Sequence, residues 1–272
     1  MSSILTNTSS LVALQTLKSV NKGMAKVQNE ISTGMKVSTA KDNSSAWSIA
    51  STMKSDVGAL KKLGESLTSA SALVGVARTA TEQVGELVKQ IQEKVVQAQN
   101  PEADVTKLTA DVTALAATIT SIAGSAQYNG INLVNTGSTA ETITVSITRS
   151  AAGVVGSQTF SSGVADLAAV ATAITGIADI SAAAALDTID TQLDTVNTAA
   201  ATFGAAQARI EAQNSFLSKQ ADALKEGVGA LVDADMEEAS ARLTALQTQQ
   251  QLGIQALSIA NQAPQNILSL FR

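Results

Sequence analysis

Two long stretches of this chain place an apolar or small residue at alternating steps of three and four, with Gln207 and Asn214 the exceptions, and few folds can use such a pattern. One reads Leu60, Leu63, Leu67, Ala70, Val74, Ala77, Thr81, Val84, Val88, Ile91, Val95, Ala98. The other reads Leu186, Ile189, Leu193, Val196, Ala200, Phe203, Gln207, Ile210, Asn214, Leu217, Ala221, Leu224, Val228, Leu231. A strict heptad keeps one narrow stripe of a helix turned toward the same partner along its whole length. Gln207 and Asn214 fall on the second stripe, where a polar residue either fixes register at a cost in stability or stays in contact with water. The pattern predicts long paired helices, which bury little surface by themselves and act mainly by touching other protein.

Composition agrees with thin seams rather than a thick core. Of the 272 residues 45% are hydrophobic but only 2% aromatic, so the bulky groups that usually line a small-molecule pocket are scarce. The chain has no cysteine and no histidine. This rules out disulfides, thiolate chemistry and the usual neutral-pH general base, and removes the commonest metal ligands. Neither an enzyme nor a metal or other cofactor site is expected. An enzyme grafted into the middle of the chain would have only Glu141, Asp166 and Asp179 as local acids.

Net charge is −5, and no basic face dense enough for nucleic acid stands out. The distribution is uneven. Residues 1–41 hold Lys18, Lys22, Lys26, Lys36 and Lys41 against Glu30 alone, whereas residues 233–238 hold Asp233, Asp235, Glu237 and Glu238. These are either two solvated faces, or opposite charges that set the register of the two ends. No apolar run approaches the roughly 18 residues of a membrane span, so membrane insertion is not expected. The first ten residues lack a basic segment followed by an apolar one, so a general secretory signal is not expected either.

Along the chain, Leu17, Val20, Met24, Val27 and Ile31 mark an amphipathic helix over 4–33, closed by Gly34. Residues 35–41 read as an extended connector. Asp42 is the expected N-cap of a helix running to about Gln99. Asn100-Pro101 turns the chain into a shorter antiparallel helix carrying Val105, Leu108, Val112, Leu115, Ile119 and Ile122. Asn129-Gly130 is the strongest turn signal. Ile143, Val145 and Ile147 alternate with threonine and serine as in a half-buried strand. A second strand around Phe160 and a short helix over 164–176 complete a small α+β insert. A helix over 183–231 follows, and a phase break to Met236. The stripe Met236, Ala239, Leu243, Leu246, Gln250, Gly253, Leu257, Ala260 ends near Asn261, ahead of Pro264 and an apolar tail. Trp47 is expected to pack at the start of its helix, and Tyr128 to anchor the turn.

The fold class this predicts is mainly α: long antiparallel coiled-coil helices forming a rod, with a small α+β insert at the end distal to the termini. The terminal helices carry short stripes, and isolated helices of this kind are marginal in water. Ordering costs about 1–2 kcal/mol per residue, so both ends are expected to fold only when many copies pack together.

Several motifs, in order, resemble bacterial flagellin. They are Asn21-Lys-Gly-Met-Ala-Lys-Val-Gln-Asn-Glu-Ile-Ser-Thr-Gly34, Ala40-Lys-Asp-Asn-Ser-Ser-Ala46, Gln127-Tyr-Asn-Gly130, Gly204-Ala-Ala-Gln-Ala-Arg-Ile-Glu211, Asp233-Ala-Asp-Met-Glu-Glu-Ala239 and Ala260-Asn-Gln-Ala-Pro-Gln-Asn-Ile-Leu-Ser-Leu270. The resemblance implies a structural subunit that polymerises into the filament for swimming motility; the alternative is a hook–filament junction protein. It implies an inner filament-core coiled-coil domain at 1–41 and 232–272, a rod-like helical domain at 42–135 and 183–231, and a small outer insert at 136–182. Packing among subunits would then involve Leu11, Leu14, Leu17, Val20, Met24, Val27, Ile31, Met236, Leu243, Leu246, Leu257, Ile267, Leu268 and Leu270. The charges of the connector region would be Lys36, Lys41, Asp42, Asp233 and Asp235. The partners implied are many identical copies, the flagellar type III export apparatus, an export chaperone, and the cap and hook-associated proteins. The location implied is the extracellular filament, reached by secretion. The family pattern also has an arginine where this chain has Gly85, which implies weak reading by the animal innate receptor for the family.

Overall fold

The computed structural model of the chain describes residues 7–149 and 155–269, and side-chain surroundings for 7–148 and 156–262. The elements run α1 (Thr8–Thr33), α2 (Ser44–Ala98), α3 (Val105–Ser125), β1 (Gln127–Tyr128), β2 (Ile131–Asn132), β3 (Thr142–Arg149), β4 (Val155–Ser161), α4 (Leu167–Thr175), α5 (Ala183–Val232) and α6 (Met236–Ser269). The fold is mainly α with a small strand-containing insert. The chain divides into two compact units, one of residues 1–57 with 222–272, the other of residues 58–221.

In the second unit the heptads are visible as burial. Leu60, Leu63, Leu67, Val74, Ala77, Val84, Val88, Ile91, Val95 and Ala98 of α2 are buried, as are Ile189, Val196, Phe203, Ile210, Leu217 and Ala221 of α5. Thr81 is equally buried, its hydroxyl donating to the carbonyl of Ala77 at 2.7 Å. The polar seam residues are half-buried and hydrogen-bonded. Gln207 accepts from Arg78 Nε at 2.9 Å and donates to Glu211, while Asn214 reaches the Thr68 hydroxyl at 3.4 Å. These pairs, with the side-chain contact of Gln92 to Asp190, run in opposite directions along the two helices, so α2 and α5 are antiparallel. Pro101 lies in the turn rather than in the first helical turn. Asp104 caps α3 by accepting from the Lys107 N–H, and Lys94 meets Asp111 at 2.9 Å as α3 folds back.

The insert follows its patterning with one irregularity. Asn129 and Gly130 both take positive φ (50° and 81°), the geometry of a two-residue hairpin, and join β1 to β2. β3 and β4 pair antiparallel, with a register shift between Thr144 and Ser146. Ile143 and Val145 are buried, and Ile147 beyond the shift is only partly so. Asp166 caps α4, whose Leu167, Val170 and Ile174 are buried. Val164 lies ahead of that cap and is exposed, so the helix is shorter than its apolar spacing predicts. Gly85 has no packing need for glycine: a Cβ there would meet Val196 Cγ1 at an ordinary 3.5 Å.

Three further expectations are corrected. Asp42 does not cap α2. Asn43 does, accepting from the Ala46 N–H at 3.1 Å, because the Asp42 carboxylate is turned back onto Ser38 and Thr39. Trp47 is exposed rather than packed. α6 does not end near Asn261 but continues through Pro264 to Ser269.

Candidate functional site

The first unit holds what the ends of the chain can do. α1 and α6 pack along a seam of small and medium residues. On α1 it follows Ala13, Leu17, Val20, Met24, Val27 and Ile31; on α6 it follows Ala239, Leu243, Leu246, Gln250, Gly253, Leu257 and Ala260. Val27 and Ala239 are buried, and the others are half-covered. Glycines leave room for leucines of the facing helix. A Cβ on Gly23 would lie 3.6 Å from the Leu246 methyls, and one on Gly253 only 3.3 Å from Leu17 Cδ1. Polar residues lock the register: Gln250 Nε2 donates to Asn21 Oδ1 at 2.8 Å, and the Ser10 hydroxyl to Asn261 Oδ1 at 2.8 Å. These pairings run in opposite senses, so the two helices are antiparallel.

Asn7 closes the seam. Its Oδ1 accepts from the Ser10 N–H at 3.1 Å, capping α1, while its Nδ2 donates to the carbonyl of Ala260 at 2.6 Å. That carbonyl is the one whose helical donor would be the N–H of residue 264, a proline with none. The α6 backbone therefore passes the proline with its orphan acceptor satisfied from across the seam.

The connector is pinned by main chain. Lys36 and Val37 both donate to the Val232 carbonyl, at 2.7 and 3.2 Å, and Ala234 donates to the Gly34 carbonyl at 2.9 Å. Gly34 takes φ 70°, the left-handed turn that releases the chain from α1. Beneath this clasp Val37, Ala50, Val228 and Val232 form a small core with Met35, Ala46 and Met53 against it. The break predicted after Leu231 is thus a real end of a helix: Leu231 is exposed, Val232 takes its place inside, and Asp235 caps α6 by accepting from the Glu237 and Glu238 N–H groups.

Ser38, Thr39 and Asp42 form a turn in the connector, and the hydrogen bonds from Thr39 hold the Asp42 carboxyl below its ordinary value of 3.8. Lys36, Lys41, Asp233 and Asp235 are exposed, and among the described residues no ion pair joins these lysines to these acids. The two charge groups do not set register within one chain by direct pairing.

The remaining residues expected to pack are placed as follows. Met236 is exposed at the first position of α6, ahead of the seam, which begins at Ala239. Leu11 (61% exposed) and Leu14 (54%) lie off the seam, whose outer end is carried by Ala13 and Ser10. Ile267 and Leu268 lie in α6 where side chains are not described, and Leu270 lies outside the described residues. Val12 (63%), Leu252 (58%), Ile254 (54%) and Ile259 (68%) join the exposed set. Heptad spacing does not mark these last four, because they belong to no stripe. Their signal was the opposite one, large aliphatic groups on the face a lone helix pair leaves to water.

Comparison with known proteins adds to this geometry. Residues 4–140 match the family model described as the bacterial flagellin N-terminal helical region, and residues 186–271 match the bacterial flagellin C-terminal helical region. The chain is 42% identical to a flagellin of Brucella melitensis biotype 1 over all of both chains. It is 37% identical to flagellin C of Rhizobium meliloti, again over all of both. Against flagellin FljM of Caulobacter vibrioides the identity is 36%, covering all of this chain and 99% of the relative.

Proposed function

This chain belongs to the bacterial flagellin family, and from that premise we propose how its two ends do their work. It is a structural subunit that polymerises into the flagellar filament. The single observation that carries the mechanism is the set of large aliphatic side chains left bare on α1 and α6, Leu11, Val12, Leu14, Leu252, Ile254 and Ile259. Burial in a neighbouring copy would contribute about 1.5–3 kcal/mol for each. The seam between the two helices leaves these six outside and, Val27 and Ala239 apart, covers its own residues only by half. The terminal helices are therefore completed by other subunits.

In this reading residues 1–41 and 232–272 form the inner layer of the filament, residues 42–135 and 183–231 the rod-like layer around it, and residues 136–182 a small outer layer. The clasp at 34–37 and 232–234 sits at the boundary of the first two, which is where the backbone of both ends changes element. The compact units divide elsewhere, at 57/58 and 221/222, because contacts of the clasp core reach into α2 and α5. Leu17, Val20, Met24, Val27, Ile31, Leu243, Leu246 and Leu257 serve the seam, and Leu11, Leu14, Met236 and the tail residues Ile267, Leu268 and Leu270 serve neighbours. The protein has no catalytic task. The same reading includes export through the flagellar apparatus with a chaperone, and addition beneath a cap beyond hook-associated proteins, and family membership is its support. No helix among the described residues is long and apolar enough to cross a membrane. The relatives matched here are named flagellins, and nothing favours the junction-protein alternative.

Truncation tests the mechanism. Removal of residues 1–30 or of 240–272 is expected to leave a helical subunit that does not polymerise, read by circular dichroism and sedimentation. Filaments of normal yield from either truncated form would overturn it.

A further inference from the structure

Lys22, Lys26, Lys36 and Lys41 rim one concave pocket where α1 meets the connector, and Asn29, Ser38 and Thr39 add polar groups to its wall. Two carboxylates line it and both are engaged. Glu30 is buried beside Lys26 at 3.8 Å, and Asp42 accepts from Ser38 and Thr39. Among the described residues, Lys22, Lys36 and Lys41 form no ion pair. The result is a hollow whose positive charge the subunit does not neutralise. A recess focuses such a field more than a flat, solvated lysine face does.

The complementary charge stands in the same unit. Asp233, Asp235, Glu237 and Glu238 crowd the turn between α5 and α6, and all four are exposed. Glu238 pairs with Arg242, and Asp235 caps α6; Asp233 and Glu237 make no ion pair among the described residues. The main chains of 35–37 and 232–234 touch, yet no ion pair links this turn to the pocket lysines within one subunit.

We infer that the pocket receives the acidic α5–α6 turn of a second copy of this chain. The inference rests on the filament-subunit reading and adds to it a defined ionic contact between neighbours. Each copy carries one pocket and one turn, so donor and acceptor are always present in equal number, which no small anion would guarantee. The two surfaces differ, so the contact is head-to-tail, the kind that propagates into an open polymer instead of closing a dimer. Charge complementarity of this kind chooses partner and register more than it adds affinity.

Two variants test it in seeded assembly of purified subunits: Lys22→Glu with Lys36→Glu in the pocket, and Asp233→Lys with Glu237→Lys in the turn. The unsubstituted chain is the control, and its failure to polymerise would sink the subunit reading itself. Each variant alone is expected to raise the critical concentration about tenfold or more. An equimolar mixture is expected to polymerise near the control level, because each pocket then finds a turn of opposite sign on the other variant. Control-like assembly by either variant alone overturns the inference. So does a mixture that fails to recover; if in that case the chain carrying all four substitutions polymerises, the pairing lies within one molecule. Should a reversal lose helicity, the neutral pairs Lys22→Gln with Lys36→Gln and Asp233→Asn with Glu237→Gln replace it. An unchanged critical concentration in both would then reject the contact.

Discussion

Asn7 serves two helices with one amide, its oxygen capping α1 and its nitrogen supplying the bond that Pro264 cannot. Asn7→Asp separates the roles, since a carboxylate still caps but cannot donate. It is expected to leave the start of α1 helical while amide exchange quickens around the end of the seam. Asn7→Ala should lose both, at a cost of about 1 kcal/mol for the cap alone. Asp42 makes a pH-dependent case. Its folded pKa lies below the ordinary 3.8, chiefly through hydrogen bonds from Thr39. The connector turn therefore has its full support above the unfolded value and loses it as pH falls through the lower folded one. An NMR titration following the Thr39 N–H should show its shift change below pH 3.8, and Asp42→Asn should abolish that step. Neither role was readable beforehand. Asp42 and Asn43 are both good caps, and only the local turn that brings Ser38 and Thr39 onto the Asp42 carboxylate decides between them. Asn7 matters because of residues more than 250 positions away.

Helices that pair by heptads are the part of this fold most legible from spacing, because a periodic stripe leaves one side that can be buried. Nearly every stripe residue of α2 and α5 is covered, and Phe203 is fully so. Phe203→Ala would leave a cavity in the seam, with an expected loss of about 3–5 kcal/mol in urea unfolding followed by circular dichroism. Legibility fails where a stripe is thin. On α1 the apolar residues Leu11 and Leu14 point to one continuation, but Ala13 and Ser10 are the ones that face α6, and the larger groups remain outside. Spacing cannot tell a residue buried by its own chain from one reserved for another molecule. Proline is a second limit: a sequence rule that ends a helix before Pro264 has no means of seeing a donor delivered from Asn7. The bulge in β3 is a third, since alternation alone carries no sign of the register shift at Val145.

For the molecule as a whole, the bare aliphatic faces of α1 and α6 support the proposal that its ends are stable only among copies. In a dilute solution of free subunits, amides of residues 8–33 and 236–262 are expected to exchange far faster than those of the α2–α5 seam, and to regain protection in the polymer. Sharply dispersed, slowly exchanging signals from both ends of the free chain would contradict this. The clasp between the connector and the α5–α6 turn bears on how different chains can share one polymer. Its bonds run from the N–H groups of Lys36, Val37 and Ala234 to the carbonyls of Val232 and Gly34, and none uses a side chain. Such a joint is largely blind to spelling: a divergent sibling that keeps glycine's turn and apolar residues at positions 37 and 232 can rewrite the rest and still bend at the same place, so a blended fibre need not weaken where one kind of building block gives way to another.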